Sequence, residues 1–332
     1  MRIAIDLMGG DNAPDAVVKG ICMALEQGIE SELLVFGSED ALKGFSGLPE
    51  SLSKKLTLIP TTEVVEGNDH PTVVIRTKKD SSLFRAIDAV ANGEADCVVS
   101  AGNTGALLAG ATLIIRRING ILRPALITVI PTVKDTPVLL LDSGANTDCK
   151  PEYLKQFAQM GSLYYSCFLN NPEPAVGLLN NGAESEKGNV LAKAAHELLE
   201  NSGLNFAGNC EARDVLSGTY QVVVADGFDG NILLKSIEGT VSAVFTLLKQ
   251  SLYSSFITKL GALLAKPAFR SLKKKFSYSE TGGAALIGVR GGVIKAHGSS
   301  DATAFMNAIF QAERFISLRF IDKLKETFEE KS

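Results

Sequence analysis

The chain has no tryptophan, only three histidines and only five cysteines in 332 residues. The histidines are dispersed, and Cys22, Cys97, Cys149, Cys167 and Cys210 form no CxxC pair. Such spacing gives no case for zinc, and an odd, scattered set reads as reduced thiols packed as small apolar groups. Long uninterrupted apolar runs are also missing and the first segment is strand-like, so neither a spanning helix nor a secretory leader is expected and the chain reads as cytoplasmic. A net charge of -4 lacks the basic excess of a general nucleic-acid binder. GxGxxG and GxxxxGK[ST] do not occur between a strand and a helix, and neither a GxSxG elbow nor a Ser/His/Asp order is visible. No cofactor, metal or protein nucleophile is expected.

What is present is alternation. Short apolar runs rich in branched residues recur at RIAIDL, ELLVFG, KLTLIP, DCVVSAG, ALITVIP, VLLLDSG, AVGLLN, YQVVVAD and AALIGV, each bounded by Gly, Asp, Asn or Pro. Helical patterns lie between them near 14–27, 82–92, 103–118, 151–169, 186–201 and 230–275, with a last one near 300–328. Parallel neighbours need helical crossovers, so this order predicts an α/β fold: a mostly parallel sheet with helices on both faces. The span 1–332 reads as a single domain with a helical protrusion at about 240–278.

In such sheets ligands collect where strands end and helices begin. Five strand ends here share Gly, Asn, Asp, Ser and Thr: MGGDNAP, SAGNTGA, DSGANTD, NNGAESEKGN and ADGFDGN. Gly9 and Gly10 allow a sharp turn, Asp11 and Asn12 can bond backbone or ligand, and Pro14 suits a first helical turn. Gly102, Asn103, Thr104 and Gly105 have the composition of a phosphate cradle, because glycine lets backbone amides approach an anion at a helix start. An ordinary polar turn and helix cap is the competing reading of both loops.

Together these motifs, with RPALITVIPT, LLDSGANTDCKPEYLKQFAQMG, FAGNCEARDVLSGTYQVVVADGFDGNILLKSIEG and GGAALIGVRGGVIKAHGSSDATAF, resemble the bacterial phosphate acyltransferases of phospholipid synthesis from residue 1 to about 315. The resemblance implies a Rossmann-like fold similar to phosphotransacetylase and isocitrate dehydrogenase, and a homodimer. It also implies transfer of a fatty acyl chain from acyl carrier protein to inorganic phosphate. Asn12 stands where the family motif more often has His, and an amide cannot carry a proton near neutrality.

Phosphate is itself a nucleophile, so the reaction asks for positioning and charge stabilisation. Lys187 is the expected cation. Asp226, Asp229 and Asn231 are candidates for orienting phosphate or water, or for capping the next helix, and His297 for a general acid. Asn146 joins Gly9 to Asn12 and Gly102 to Gly105 as a substrate-binding candidate. Arg116, Arg117 and Arg123 offer a landing surface for an acidic carrier. From Lys249 to Lys275 the chain has seven basic residues and no acid, with Phe245, Leu248, Leu252, Phe256, Leu260 and Leu263 at helical spacing. That stripe suits a dimer helix, peripheral contact with an anionic membrane, or both, and Pro267 should kink or break it. A nicotinamide-dependent decarboxylating dehydrogenase and a noncatalytic membrane scaffold are the alternatives. The first needs a nucleotide site, and the second leaves the polar strand ends unexplained.

Overall fold

The computed structural model describes residues 1–276 and 282–329, without the side chains of Lys273 and Lys274. Its strands are β1 (Arg2–Asp6), β2 (Glu32–Gly37), β3 (Leu56–Pro60), β4 (Cys97–Ser100), β5 (Ala125–Ile130), β6 (Val138–Leu141), β7 (Val176–Asn180), β8 (Phe206–Glu211), β9 (Val222–Val224), β10 (Ala284–Ile287) and β11 (Gly292–Lys295). They form one sheet in the order β3-β2-β1-β4-β11-β10-β5-β6-β9-β7-β8. The helices are α1 (Asp15–Glu26), α2 (Glu39–Leu42), α3 (Glu50–Ser53), α4 (Pro71–Thr77), α5 (Ser82–Ala91), α6 (Thr104–Gly110), α7 (Pro151–Leu169), α8 (Val190–Glu200), α9 (Gly227–Leu252), α10 (Phe256–Lys275), α11 (Ala302–Ser317) and α12 (Phe320–Glu329).

Strands buried on both faces explain the unbroken apolar runs. In β1, Ile3 and Ile5 point into one cluster with Val17 and Ile21 of α1 and Phe305 of α11. Ala4 between them points into the opposite cluster with Phe84 of α5 and Leu107 of α6. The sheet is therefore covered on both sides, as the alternation predicts. Truncating a fully buried phenylalanine such as Phe84 or Phe305 costs roughly 3–5 kcal/mol.

All strand pairs are parallel except β11–β10, β10–β5 and β5–β6. These antiparallel steps reverse the direction of β6, β9, β7 and β8 relative to β1, β4 and β11. The polar strand ends consequently divide between two edges of the sheet. β8 and β11 were not foreseen, and three expected helices are divided: 230–275 at Tyr253–Ser255, 300–328 at Leu318–Arg319, and 103–118 by a wider π-turn after Gly110. Pro267 does not break α10. The helix is largely exposed there, so the carbonyl that proline leaves unpaired is open to water.

Candidate active site

The loop MGGDNAP packs backbone to backbone against the loop that follows β4. A Cβ on Gly9 would lie 2.3 Å from Asp6 Oδ2 and 2.7 Å from the Gly102 nitrogen, so no larger residue fits without movement. Gly10 has φ +113°, a conformation that L side chains rarely adopt. The Asp11 amide then donates to Gly298 O at 2.8 Å, and Asn12 Nδ2 donates to Ser299 O and Ser300 O at 3.2 and 3.3 Å. Two glycines, an acid and an amide thus tie the end of β1 to the turn carrying His297.

Beneath that junction lies a buried polar group. The Ser82 and Ser100 hydroxyls donate to Asp6 at 2.6 and 2.7 Å, yet burial raises its carboxyl above the ordinary range. Lys295, at the end of β11, is 8% exposed and its ammonium donates to Ala101 O and Ala296 O. Burial pulls its pKa down to about 8, against the attraction of Asp6 and Asp11.

Lys295 and His297 line a cleft of about 440 Å³, together with Lys235 and Asn231 from α9, Ser143 and Gly144 after β6, and Thr104. Lys235 Nζ donates to Glu238 Oε2 at 2.8 Å. The Ser299 amide donates to His297 Nδ1 at 3.2 Å, so a neutral ring carries its hydrogen on Nε2. Burial first, and then the Lys235 charge, holds the His297 pKa below 6.5.

Of the residues singled out in the sequence, Thr104, Asn231 and His297 line this cleft. Gly9, Gly10, Asp11 and Asn12 do not line it; their loop bonds to Gly298, Ser299 and Ser300, which do. Asn103 caps α6 by accepting from the Ala106 amide, and its Nδ2 donates to Glu66 O, Gly67 O and Asp69 O. Gly102 lies against Gly9, and Gly105 sits where a Cβ would meet Pro71 at 2.5 Å. Asn146 donates to Pro124 O and Asp142 Oδ2. Asp226 caps α9 through the Phe228 and Asp229 amides, both at 2.9 Å.

Asp226 and Asp229 line a neighbouring cleft with Asn180, Asn181 and Asn189. Burial, and then Asp226, raises the Asp229 pKa. Lys187 is exposed and lines neither cleft. Arg116, Arg117 and Arg123 do not line the first cleft either. β5 begins just after them, and its pairing puts Ala125 on the edge of Ile287 and Gly292, away from Ser100 and Lys295.

Lys235, Lys295 and Ser143 are additions. Lys235 reads in the sequence as half of an ordinary helical ion pair with Glu238, and Lys295 as the solvated end of a strand. The one sequence signal is that Lys295 directly continues the apolar run Val293–Ile294 and is followed by Ala296, a setting in which a lysine is unusual.

The comparisons agree along the whole chain. A phosphate acyltransferase of Clostridium novyi is 47% identical over 331 residues, covering 100% of this chain and 99% of the relative. One from Lysinibacillus sphaericus is 48% identical over 327 residues, covering 98% of each. Among solved structures, a phosphotransacetylase from Streptococcus pyogenes matches with TM-score 0.60 at 16% identity, covering 96% of this chain and 94% of that one. A branched-chain phosphotransacylase from Enterococcus faecalis matches with TM-score 0.56 at 15% identity, covering 95% and 99%. These two likenesses establish the mixed α/β fold. Residues 1–323 match the fatty acid synthesis protein family, and the chain belongs to that family.

Proposed function

We propose that this protein is a phosphate acyltransferase that moves a fatty acyl group from acyl carrier protein to inorganic phosphate in the cleft of Lys235, Lys295 and His297. The observation that carries the reading is the convergence of two lysines and a low-pKa imidazole on one cleft at the middle of the sheet. Hydrogen phosphate is held by the Lys235 and Lys295 ammonium groups, beside the start of α11, whose dipole favours an anion. One phosphate oxygen attacks the thioester carbonyl carbon, and the carbonyl electron pair moves onto its oxygen. Nε2–H of neutral His297 suits that developing oxyanion. Collapse breaks the carbon–sulfur bond, and the departing thiolate takes up the proton of hydrogen phosphate. The products are acyl phosphate and the free carrier thiol.

A cysteinyl intermediate is disfavoured because no cysteine among the described residues lines the cleft. Burial pushes Cys149 and Cys210 up to about 12, and Cys97 higher still, so all three stay thiols at neutral pH. The assembly is a homodimer in the cytoplasm, with peripheral contact to an anionic membrane through a helical arm at about 240–278. Exposed Phe256, Ile257, Leu260, Leu263 and Leu264 on α10 support this part of the reading. The arm's end beyond Phe276 lies outside the described residues.

The test is incubation with an acyl carrier protein thioester and labelled phosphate, followed by identification of acyl phosphate. Lys235→Ala should lower turnover by about 10² as transition-state charge loses a partner, with Lys187→Ala costing under about threefold. The reverse ranking would remove phosphate from the cleft of Lys235 and Lys295. No acyl phosphate from the parent would reject the activity itself.

A further inference from the structure

Beyond the polar cleft lies an apolar groove of about 430 Å³, between α9 and the exit of β5. The two are continuous, because Thr128, Leu234 and Glu238 line both. The one acid at their junction, Glu238, is already paired with Lys235 at 2.8 Å. From there Ile237, Val241 and Phe245 follow one another at helical spacing along one wall, facing Val129, Ile130 and Pro131 on the other. Lys249 and Phe276 stand at the far end. At roughly 1.5 Å per residue, the α9 positions from Leu234 to Lys249 extend about 22 Å, an elongated shape rather than a round one.

We infer that this groove takes the linear acyl chain of the substrate, its thioester carbonyl at the cleft end, and that Val241 and Phe245 set the chain length accepted. The inference rests on the acyl-transfer reading above. A mainly apolar trough, with the Ser242 and Thr246 hydroxyls but no charge between Glu238 and Lys249, suits hydrocarbon, and its shared wall with a cleft holding two lysines places the reactive carbon beside the phosphate. An extended peptide would need partners for a full row of backbone polar groups, where the described residues of the groove offer, besides Glu238 and Lys249 at its ends, only the Thr128, Ser242 and Thr246 hydroxyls. Phe245, four residues beyond Val241, meets only the part of a chain that reaches about three turns along α9 from Leu234. Short acyl groups end before it.

The experiment compares kcat/KM for acyl phosphate formation from sixteen-carbon and eight-carbon acyl carrier thioesters. Val241→Trp should lower the long-to-short ratio by roughly tenfold or more, equivalent to losing about two buried methylenes. Val244→Trp, on the exposed side of the same helix, should leave the ratio within about twofold of the parent. The chain has no tryptophan, so Phe245→Trp supplies a single indole whose emission should shift on titration with hexadecanoate. Acyl phosphate formation with an unchanged ratio in Val241→Trp would overturn the groove assignment and leave the transferase reading standing. An indole response to hexadecanoate in a protein that makes no acyl phosphate would support the groove and reject the transferase reading. An indole that does not respond overturns the groove.

Discussion

Replacing Lys295 by methionine keeps most of its length and removes its charge, so it separates what the buried ammonium does for catalysis from what it costs the fold. The ordinary lysine value is 10.5 and burial brings Lys295 to about 8. At about 1.4 kcal/mol per tenfold in proton affinity, this difference of roughly 2.5 corresponds to about 3 kcal/mol. The sign follows from proton counting: between pH 8 and 10.5 the unfolded chain still holds the proton and the folded one has released it. Parent stability should therefore rise with pH across that window, relative to Lys295→Met, by up to about 3 kcal/mol. Activity should run the other way. Near pH 7 about nine-tenths of Lys295 is charged, so parent kcat/KM for phosphate should fall as pH passes about 8. Lys295→Met should lose about 10² of turnover at pH 7 and lack that alkaline limb. Urea unfolding of parent and variant from pH 7 to 10.5, beside phosphate kinetics over the same range, measures both. A stability difference that stays flat with pH, or a variant that keeps both turnover and the alkaline fall, would refute the reasoning.

Two further perturbations address the loop and the arm. Gly9→Ala places a methyl group 2.3 Å from Asp6 Oδ2 and 2.7 Å from the Gly102 nitrogen, and should destabilise the protein by about 1–3 kcal/mol; an unaltered denaturation midpoint would mean the loops part freely. Leu260 and Leu263 are 54% and 64% exposed, and changing both to Glu should abolish sedimentation with anionic vesicles, since a buried apolar side chain contributes about 1.5–3 kcal/mol and each nearby cation about 1 kcal/mol. Loss of oligomer mass in that variant would instead assign the stripe to dimer packing, and vesicle binding equal to the parent would remove those two side chains from membrane contact. Lys259, Lys266 and Arg270 are the cations to count. Lys275 is drawn to the body by Lys134 O at 3.0 Å and Asp135 at 3.7 Å, and the side chains of Lys273 and Lys274 lie outside the described residues.

Where burial is continuous, the fold was legible in the sequence. β1, β2, β4, β6 and β9 are runs of branched and aliphatic residues ended by Gly, Asp or Ser, because strands covered on both faces have no polar side to show. β8 escaped notice because FAGNCE is an edge strand with Gly208 and Asn209 inside it, carrying little strand propensity of its own. β11 is hard to separate in the sequence because only the four residues Gly288 to Gly291 divide it from β10, so one apolar stretch holds two antiparallel strands. The omission that mattered most lies elsewhere: β5 and β6 are both legible, but residues 131–137 between them are too few for a helical crossover, so the pair is antiparallel and β6, β9, β7 and β8 run opposite to β1 and β4. Read as parallel throughout, the sheet would bring all five polar strand ends to one edge.

With β11 present, Ser100 pairs with Lys295 and Lys295 with Ala284, so the buried ammonium sits in the row where the parallel half of the sheet meets its antiparallel steps. His297 follows two residues later, in the turn tied to Asn12. α9 starts from the other half of the sheet and brings Asn231 and Lys235 to the same cleft. Of the residues that local patterns singled out, Thr104, Asn231 and His297 line the cleft, each lying in a polar motif behind an apolar run. Lys235 and Lys295 reach the same cleft only through long-range pairing of the sheet and packing of α9, and no periodicity within their own segments distinguishes them from solvated lysines. The same long-range assembly places the apolar wall of α9 next to the charged cleft, so a single helix presents Lys235 to one and Ile237, Val241 and Phe245 to the other.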